Sequence, residues 1–373
     1  MRNYQEIAVA DSTAGFEAYL VIYPTENDIS FGGTRIDQSV TRDMVVELAE
    51  NMSLKLAGHG SPVGGAKAGL RASPDDPRLK QYLKQFAEAC RDVLSKTTIL
   101  GKDMGAKQWM IDEIYGALQM PQLGIAQRRN PATECPDRLS ALDGYITNMT
   151  GQGVFWCIEQ ALGANLAGAR VLIQGFGVVG SGVAWHLHRR GARIVGVSDR
   201  NKALFNADGM DLDALLAAKD ENGVLAENKL PRSCIGMERD ALLTQQADLL
   251  VLAAGSYVVN RDVASKIRVP LVAEGANLAL TPAARTALHS NSIRVVPDVV
   301  ANSSSAAMVG HQIASGNTIR PSVLWADIER RIKRNTEAVD RLSRLFDVDP
   351  KSAFRRAVEA DGCTDKIEVV SGG

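Results

Sequence analysis

Between Arg170 and Asp199 the chain runs through strand, glycine turn, helix, strand and acid in that order, a succession few folds accommodate. The apolar run Arg170–Gln174 (RVLIQ) leads into Gly175-Phe176-Gly177-Val178-Val179-Gly180, a G-x-G-x-x-G. A helix-compatible stretch follows to Arg190, and the next strand ends at Asp199, 19 residues past Gly180. The three glycines serve a tight turn, close approach of backbone to a pyrophosphate, and tight helix–strand packing. The N–H groups at the helix start then receive phosphate, and the acid accepts from an adenosine ribose. A carboxylate at Asp199 repels a 2′-phosphate and so favours NAD. Arg200 and Lys202 follow directly, either to admit the phosphate of NADP or as solvated loop charge.

Further short apolar runs at 192–198, 248–253, 270–273 and 293–296 alternate with helical stretches, the pattern of a parallel sheet covered on both faces. Ahead of them, residues 16–23 (FEAYLVIY) read as a strand, and 40–57 and 79–94 carry apolar residues at helical spacing. Residues 58–69 and 73–77 read as Gly/Pro-rich punctuation. Beyond Pro321, apolar residues at Trp325, Ile328, Ile332, Val339, Leu342 and Leu345 predict helix. At 373 residues the chain exceeds one ordinary core. The reading is therefore α/β with two domains: an N-terminal α/β substrate and assembly domain over 1–147, and a doubly wound Rossmann domain over 148–320. The helices of 321–373 are expected to pack back on the first domain.

A net charge of -1 gives no electrostatic case for nucleic acid or a membrane surface. No apolar window approaches a membrane span, and the N-terminus lacks a signal-peptide pattern. The five cysteines (Cys90, Cys135, Cys157, Cys234, Cys363) make no C-x-x-C, consistent with a reduced, cytoplasmic setting. No metal is expected: His186 and His188 stand two apart on a helix and read as packing or surface residues.

The segment Ser61–Leu70 places Lys67 among small residues. It fails the Walker pattern, because Ala66 precedes the lysine and Ala68 follows it. What remains is a lysine on a tight turn that a substrate can approach closely.

Here the chain resembles the glutamate/leucine/phenylalanine/valine dehydrogenases. Gly64-Gly65-Ala66-Lys67-Ala68-Gly69 is similar to the family's glycine-rich catalytic-lysine motif, and Lys55, twelve residues earlier, to its second lysine. Phe31-Gly32-Gly33-Thr34-Arg35 is similar to its Gly-Gly-x-Arg turn, and Asp103 to its catalytic aspartate. Thr150-Gly151-Gln152-Gly153-Val154, Glu274-Gly275-Ala276-Asn277 and Pro297–Asn302 follow in colinear order. The resemblance implies interconversion of an L-amino acid with its 2-oxo acid and ammonia, with NAD or NADP, in a homo-oligomer whose domain cleft closes over its ligands.

It also assigns roles. Lys55 suits the substrate α-carboxylate, and Gly32, Gly33, Asn302 and Ala306 line the substrate side. Lys67 binds the attacking water, with a pKa depressed by desolvation and by Lys55. Asp103 shuttles protons. Thr150 and Asn277 hold the nicotinamide carboxamide and ribose, with Ala253, Ala254 and Gly255 letting backbone approach the cofactor. The bland alternatives are an N-cap for Thr150 and a turn residue for Asn277.

Two departures bear on the substrate. Glutamate-specific members carry a lysine before the Gly-Gly-x-Arg turn and a serine after the Pro-Asp-x-x-Ala-Asn segment; Phe31 and Val309 stand there. Neither pairs with a buried carboxylate, which favours an apolar or aromatic side chain. Ser303-Ser304-Ser305 replaces Ala-Gly-Gly near the pocket. The rivals are a glutamate dehydrogenase using Ser304 or Arg35 for the side-chain carboxylate, and a non-catalytic nucleotide-binding regulator.

Overall fold

The structure, a computed structural model, describes residues 4–11, 15–131, 133, 148–220, 223–226, 229–230, 233–316 and 320–361; Cys135 and Cys363 lie outside them. The described residues divide into two compact units: those of 4–133 with those of 306–325, and those of 148–305 with 326–361.

The first unit is a five-stranded sheet in the order β1-β2-β4-β3-β5. Its elements are β1 (Gln5–Asp11), β2 (Phe16–Tyr23), β3 (Ser30–Ile36), α1 (Arg42–Gly58), β4 (Gly64–Leu70), α2 (Leu79–Ala89), α3 (Arg91–Lys96), β5 (Thr98–Lys102), α4 (Gln108–Ala117) and α5 (Gly124–Arg129). Strands β4, β3 and β5 run parallel, and β1 and β2 close the sheet antiparallel. Successive side chains of a strand alternate between faces. Ala66, Ala68 and Leu70 thus join Leu20, Leu83, Phe86, Met110 and Ile114 in the main core, while Val21 packs with Val45 and Ala49 of α1.

Of these five strands the sequence pattern predicts only β2, and it assigns nothing to β1 and β5. The supposed turns at Gly-Gly-x-Arg and around Lys67 are both extended strand, β3 and β4. Their glycines keep backbones close. A Cβ on Gly32 would sit on the Ala66 carbonyl, and one on Gly65 would sit on the Ser53 backbone of α1. Gly32, expected to meet substrate, is therefore explained by sheet packing. The helix expected over 79–94 is interrupted at Cys90, between α2 and α3.

The second unit carries a seven-stranded sheet, ordered β12-β11-β10-β6-β7-β8-β9. It comprises α6 (Met149–Leu162), β6 (Arg170–Gln174), α7 (Val178–Arg189), β7 (Arg193–Ser198), β8 (Ala203–Phe205), α8 (Leu212–Ala218), β9 (Ile235–Met237), β10 (Leu249–Leu252), α9 (Arg261–Ala264), β11 (Leu271–Glu274), α10 (Pro282–Ser290), β12 (Arg294–Val296) and α11 (Asp298–Ala301). Strands β12 to β7 are parallel, as a Rossmann-type sheet requires, and β8 and β9 add an antiparallel edge. The buried strands β6, β10 and β11 are continuous apolar runs, which is why they were readable.

Then come α12 (Ser304–Ser315), α13 (Pro321–Phe346) and α14 (Pro350–Asp361). The expected return of the C-terminal helices to the first domain is not what the described residues do. From 326 to 361 they belong to the second unit, tied there by ion pairs Lys333–Glu159, Arg294–Asp340 and Lys351–Asp298. Ile328, Ile332 and Val339 are buried, whereas Leu345 is exposed, so the apolar stripe ends before it. No helix among the described residues is long and apolar enough to cross a membrane.

Candidate active site

In the first unit, strand register assembles the charged residues. Gly33 of β3 stands beside Lys67 of β4 on one side and Gly101 of β5 on the other. With a period of two, Phe31, Gly33 and Arg35 share one face with Lys67, and Asp103 follows two residues after Gly101. Lys67 Nζ lies 2.8 Å from Asp103 Oδ2, and Arg35 Nε donates to the same oxygen at 3.0 Å. Gly33 makes this possible: a Cβ there would stand 2.9 Å from Asp103 Cβ and 3.3 Å from Lys67 Nζ.

Lys67 is only 6% exposed. Burial pushes its ammonium below the ordinary lysine value and Arg35 adds to the depression, while the Asp103 carboxylate opposes both. For Asp103, burial works against the charge but is outweighed by Lys67 and Arg35, which hold the carboxyl well below its ordinary value. The second cation acting on Lys67 is thus Arg35, where Lys55 was expected. Lys55 is buried in the last turn of α1. The sequence offers Arg35 only as a carboxylate partner; the signal for its place beside Lys67 is the alternation Phe31/Gly33/Arg35.

Phe31 and Val309 come together: both pack against one apolar cluster with Ile29, Leu56, Ile99 and Ile313. Ala306, in the first turn of α12, is half-buried.

The glycine turn behaves as a phosphate cradle should. Gly175 takes φ +87°, and a Cβ there would meet the Ala253 and Ala254 backbone at 2.6–2.7 Å, so the ends of β6 and β10 touch. A Cβ on Gly180 would fall on the Gly175 carbonyl. At Gly177 it would meet no protein atom within 4 Å, so protein packing does not require that glycine, and its backbone face suits a pyrophosphate. The residues present fit a dinucleotide. Phe176 is buried, leaving only its backbone to such a ligand, while Val178 is exposed and Val179 half-buried.

Asp199 is 5% exposed and already engaged. Its Oδ1 accepts from the Asn201 and Lys202 backbone at 2.7 and 3.0 Å, and its Oδ2 accepts from Leu225 N at 2.9 Å. A carboxylate has about four acceptor positions, so three are used and one is left for a ribose hydroxyl. Arg200 is exposed and Lys202 half-buried.

Thr150 is not the helix cap. Asn148 caps α6, accepting from Gly151 N at 3.1 Å, and its Nδ2 donates to the Val178 carbonyl at 2.7 Å. That contact lays the start of α6 against the start of α7, beside the glycine turn. Thr150 Oγ1 is thereby free to meet Ser305 Oγ at 2.9 Å. Ser303 donates to the Val300 carbonyl and Ser304 to the Met149 carbonyl, each at 2.8 Å. The serine run is thus spent inside the second unit. Asn302, expected on the substrate side, donates to the Gly275 carbonyl at 3.2 Å, and its Oδ1 has no donor among the described residues. Ser256 Oγ donates to the Asn277 carbonyl at 2.8 Å.

The sequence matches known proteins along the same lines. Residues 4–120 match the dimerisation domain of the Glu/Leu/Phe/Val dehydrogenases, and residues 145–342 match the Glutamate/Leucine/Phenylalanine/Valine dehydrogenase family. Glutamate dehydrogenase A2 of Halobacterium salinarum is 31% identical over 339 residues, 87% of this chain and 76% of that protein. The catabolic NAD-specific glutamate dehydrogenase of Bacillus subtilis is 32% identical over 286 residues, 73% of this chain and 64% of its own. The hetero-hexameric glutamate dehydrogenase of Thermus thermophilus superposes with a TM-score of 0.73 at 26% identity, covering 96% of this chain and 88% of that one.

A Rossmann-type sheet ending in a dinucleotide cradle in one unit, and a buried lysine paired with a carboxylate in the other, each fit a nicotinamide-dependent oxidoreductase. The chain belongs to the Glu/Leu/Phe/Val dehydrogenase family, NAD(P)-dependent amino-acid dehydrogenases acting on CH–NH2. These three relatives are glutamate dehydrogenases, so the leaning toward a leucine or phenylalanine type finds no support in them.

Proposed function

We propose that the chain oxidatively deaminates an L-amino acid with an apolar or aromatic side chain to the 2-oxo acid and ammonia, and runs the reverse amination, with NAD preferred over NADP. The supporting observation is the trio Arg35–Asp103–Lys67, a buried amine pushed toward neutrality beside a half-buried carboxylate held charged.

The dinucleotide, when bound, supplies the hydride acceptor at nicotinamide C4. Lys55 pairs with the substrate α-carboxylate. As the Cα hydride leaves, the amine becomes an imine, and water must add to that carbon. Lys67, neutral, accepts the proton of the attacking water, and Asp103 at 2.8 Å relays protons between Lys67 and the departing ammonia. The Oδ1 of Asn302 supplies an acceptor for the substrate amine. Thr150 and Asn277 hold the nicotinamide end, and Asp199 takes a ribose hydroxyl at its remaining acceptor position. Arg200 and Lys202 are the groups able to accept a 2′-phosphate. One relative, described as hetero-hexameric, supports an oligomer of this chain.

The side-chain preference rests on Phe31 and Val309 packing against one apolar cluster. An unpaired glutamate carboxylate there costs several kcal/mol, on the order of the penalty for any buried lone charge. A glutamate-specific reading draws on the relatives, but both groups weighed for its carboxylate have other duties: Arg35 on Asp103 and Ser304 on Met149. The test is a panel of L-amino acids with NAD and NADP, following formation of reduced cofactor. Apolar or aromatic substrates should exceed glutamate in kcat/KM, and Phe31→Lys with Val309→Ser should reverse that order. Preference for glutamate in the unaltered chain overturns the side-chain reading. Turnover of no amino acid, and amination of no 2-oxo acid, overturns the reaction itself.

A further inference from the structure

Away from the Lys67 site, the second unit buries four charged side chains together: Glu274 at the end of β11, Arg285 on α10, Asp298 at the start of α11 and Lys351 on α14. Each is nine-tenths buried or more. Asp298 Oδ1 lies 3.3 Å from Lys351 Nζ, and Glu274 Oε1 lies 3.4 Å from Arg285. The two carboxylates do more than neutralise cations. Asp298 Oδ2 accepts from Leu278 N at 2.8 Å, and Glu274 Oε1 accepts from Leu280 N at 3.0 Å. They thereby pin both sides of the turn after β11, where Leu278 holds a left-handed φ of +57°, a conformation that a leucine adopts only when its surroundings impose it. Asn277 is the residue before Leu278.

Anchoring a helix does not require a buried lysine; an apolar residue of similar size serves as well or better, because desolvating an ammonium is costly. What the charge adds is an ion-pair attraction on the Oδ1 side of the Asp298 carboxylate, whose Oδ2 holds Leu278 N. We propose that Lys351 is a positioning residue for the nicotinamide–ribose end of the dinucleotide site, acting through Asp298 and the turn at Leu278 on Asn277. The last described helix thus tunes cofactor grip without touching the cofactor. The inference rests on the dinucleotide reading above and extends it to a residue outside the site.

The experiment compares equilibrium binding of NAD or NADP with that of ADP, which engages only the glycine turn and the adenosine end, in the full chain. Lys351→Gln should weaken dinucleotide binding about tenfold and leave ADP binding within about twofold, while Lys351→Arg binds like the original chain. If Lys351→Gln does not fold, Lys351→Met with Asp298→Asn removes both charges together and should show the same selective loss. Equal weakening of ADP and dinucleotide, or a lower melting temperature with unchanged affinities, marks Lys351 as a plain structural anchor and overturns the proposal. Failure of the unaltered chain to bind any dinucleotide overturns the dinucleotide reading, and this inference with it.

Discussion

A proton balance set by three side chains decides the chemistry at Lys67. Burial and Arg35 favour the neutral amine, Asp103 the ammonium, and the net effect is a pKa below the ordinary 10.5. The proposed deamination uses the neutral form, so kcat/KM should rise with pH through that lowered pKa and level off above it. Arg35→Met removes a cation that depresses Lys67, so the Lys67 pKa rises and the ascending limb should move to higher pH. An unmoved or downshifted limb in the pH–rate profile would remove Arg35 from this balance. Gly33→Ala tests the geometry: its Cβ, 2.9 Å from Asp103 Cβ, must separate carboxylate from amine. We expect kcat to fall by about tenfold or more and, because the same Cβ stands 2.9 Å from the Lys102 carbonyl oxygen, the unfolding midpoint to fall as well. Lys67 and Asp103 were legible from motif and spacing, whereas Arg35 was hidden because the glycine pair before it reads as a turn.

Glycine misled the reading of whole elements in the same way. The stretch Gly64–Leu70 has the composition of a loop, yet it is a fully buried strand whose small residues admit α1. Composition reports conformational freedom, and only the neighbouring helix reveals that the freedom is spent on close packing. Gly65→Ala would drive a methyl into the α1 backbone at Ser53. It should cost about 1–3 kcal/mol in urea unfolding, the usual penalty of overpacking. No loss of stability would show that α1 is not held against β4 as described. The Rossmann strands posed no such difficulty, because parallel strands buried on both faces write themselves as unbroken apolar runs. Element ends such as the break at Cys90 depend on tertiary packing and were not legible.

Across the molecule, the two-domain α/β organisation was readable because it rests on repeated local patterns. The allegiance of the C-terminal helices was not, since it rests on distant ion pairs such as Arg294–Asp340 and Lys351–Asp298 that no local pattern records. The serine run shows the same limit: its motif places it near the pocket without saying what it does, and its hydroxyls bond to Val300, Met149 and Thr150. The proposed chemistry therefore rests on the parts that are local and strand-borne, Lys67 above all. The most direct test is the rate of cofactor reduction by Lys67→Ala at saturating amino acid, with dinucleotide affinity measured alongside. Loss of a general acid–base group predicts a fall in kcat of about 10²–10⁴-fold with affinity unchanged. A variant that keeps most of its turnover would contradict the assignment of the water-activating amine to Lys67.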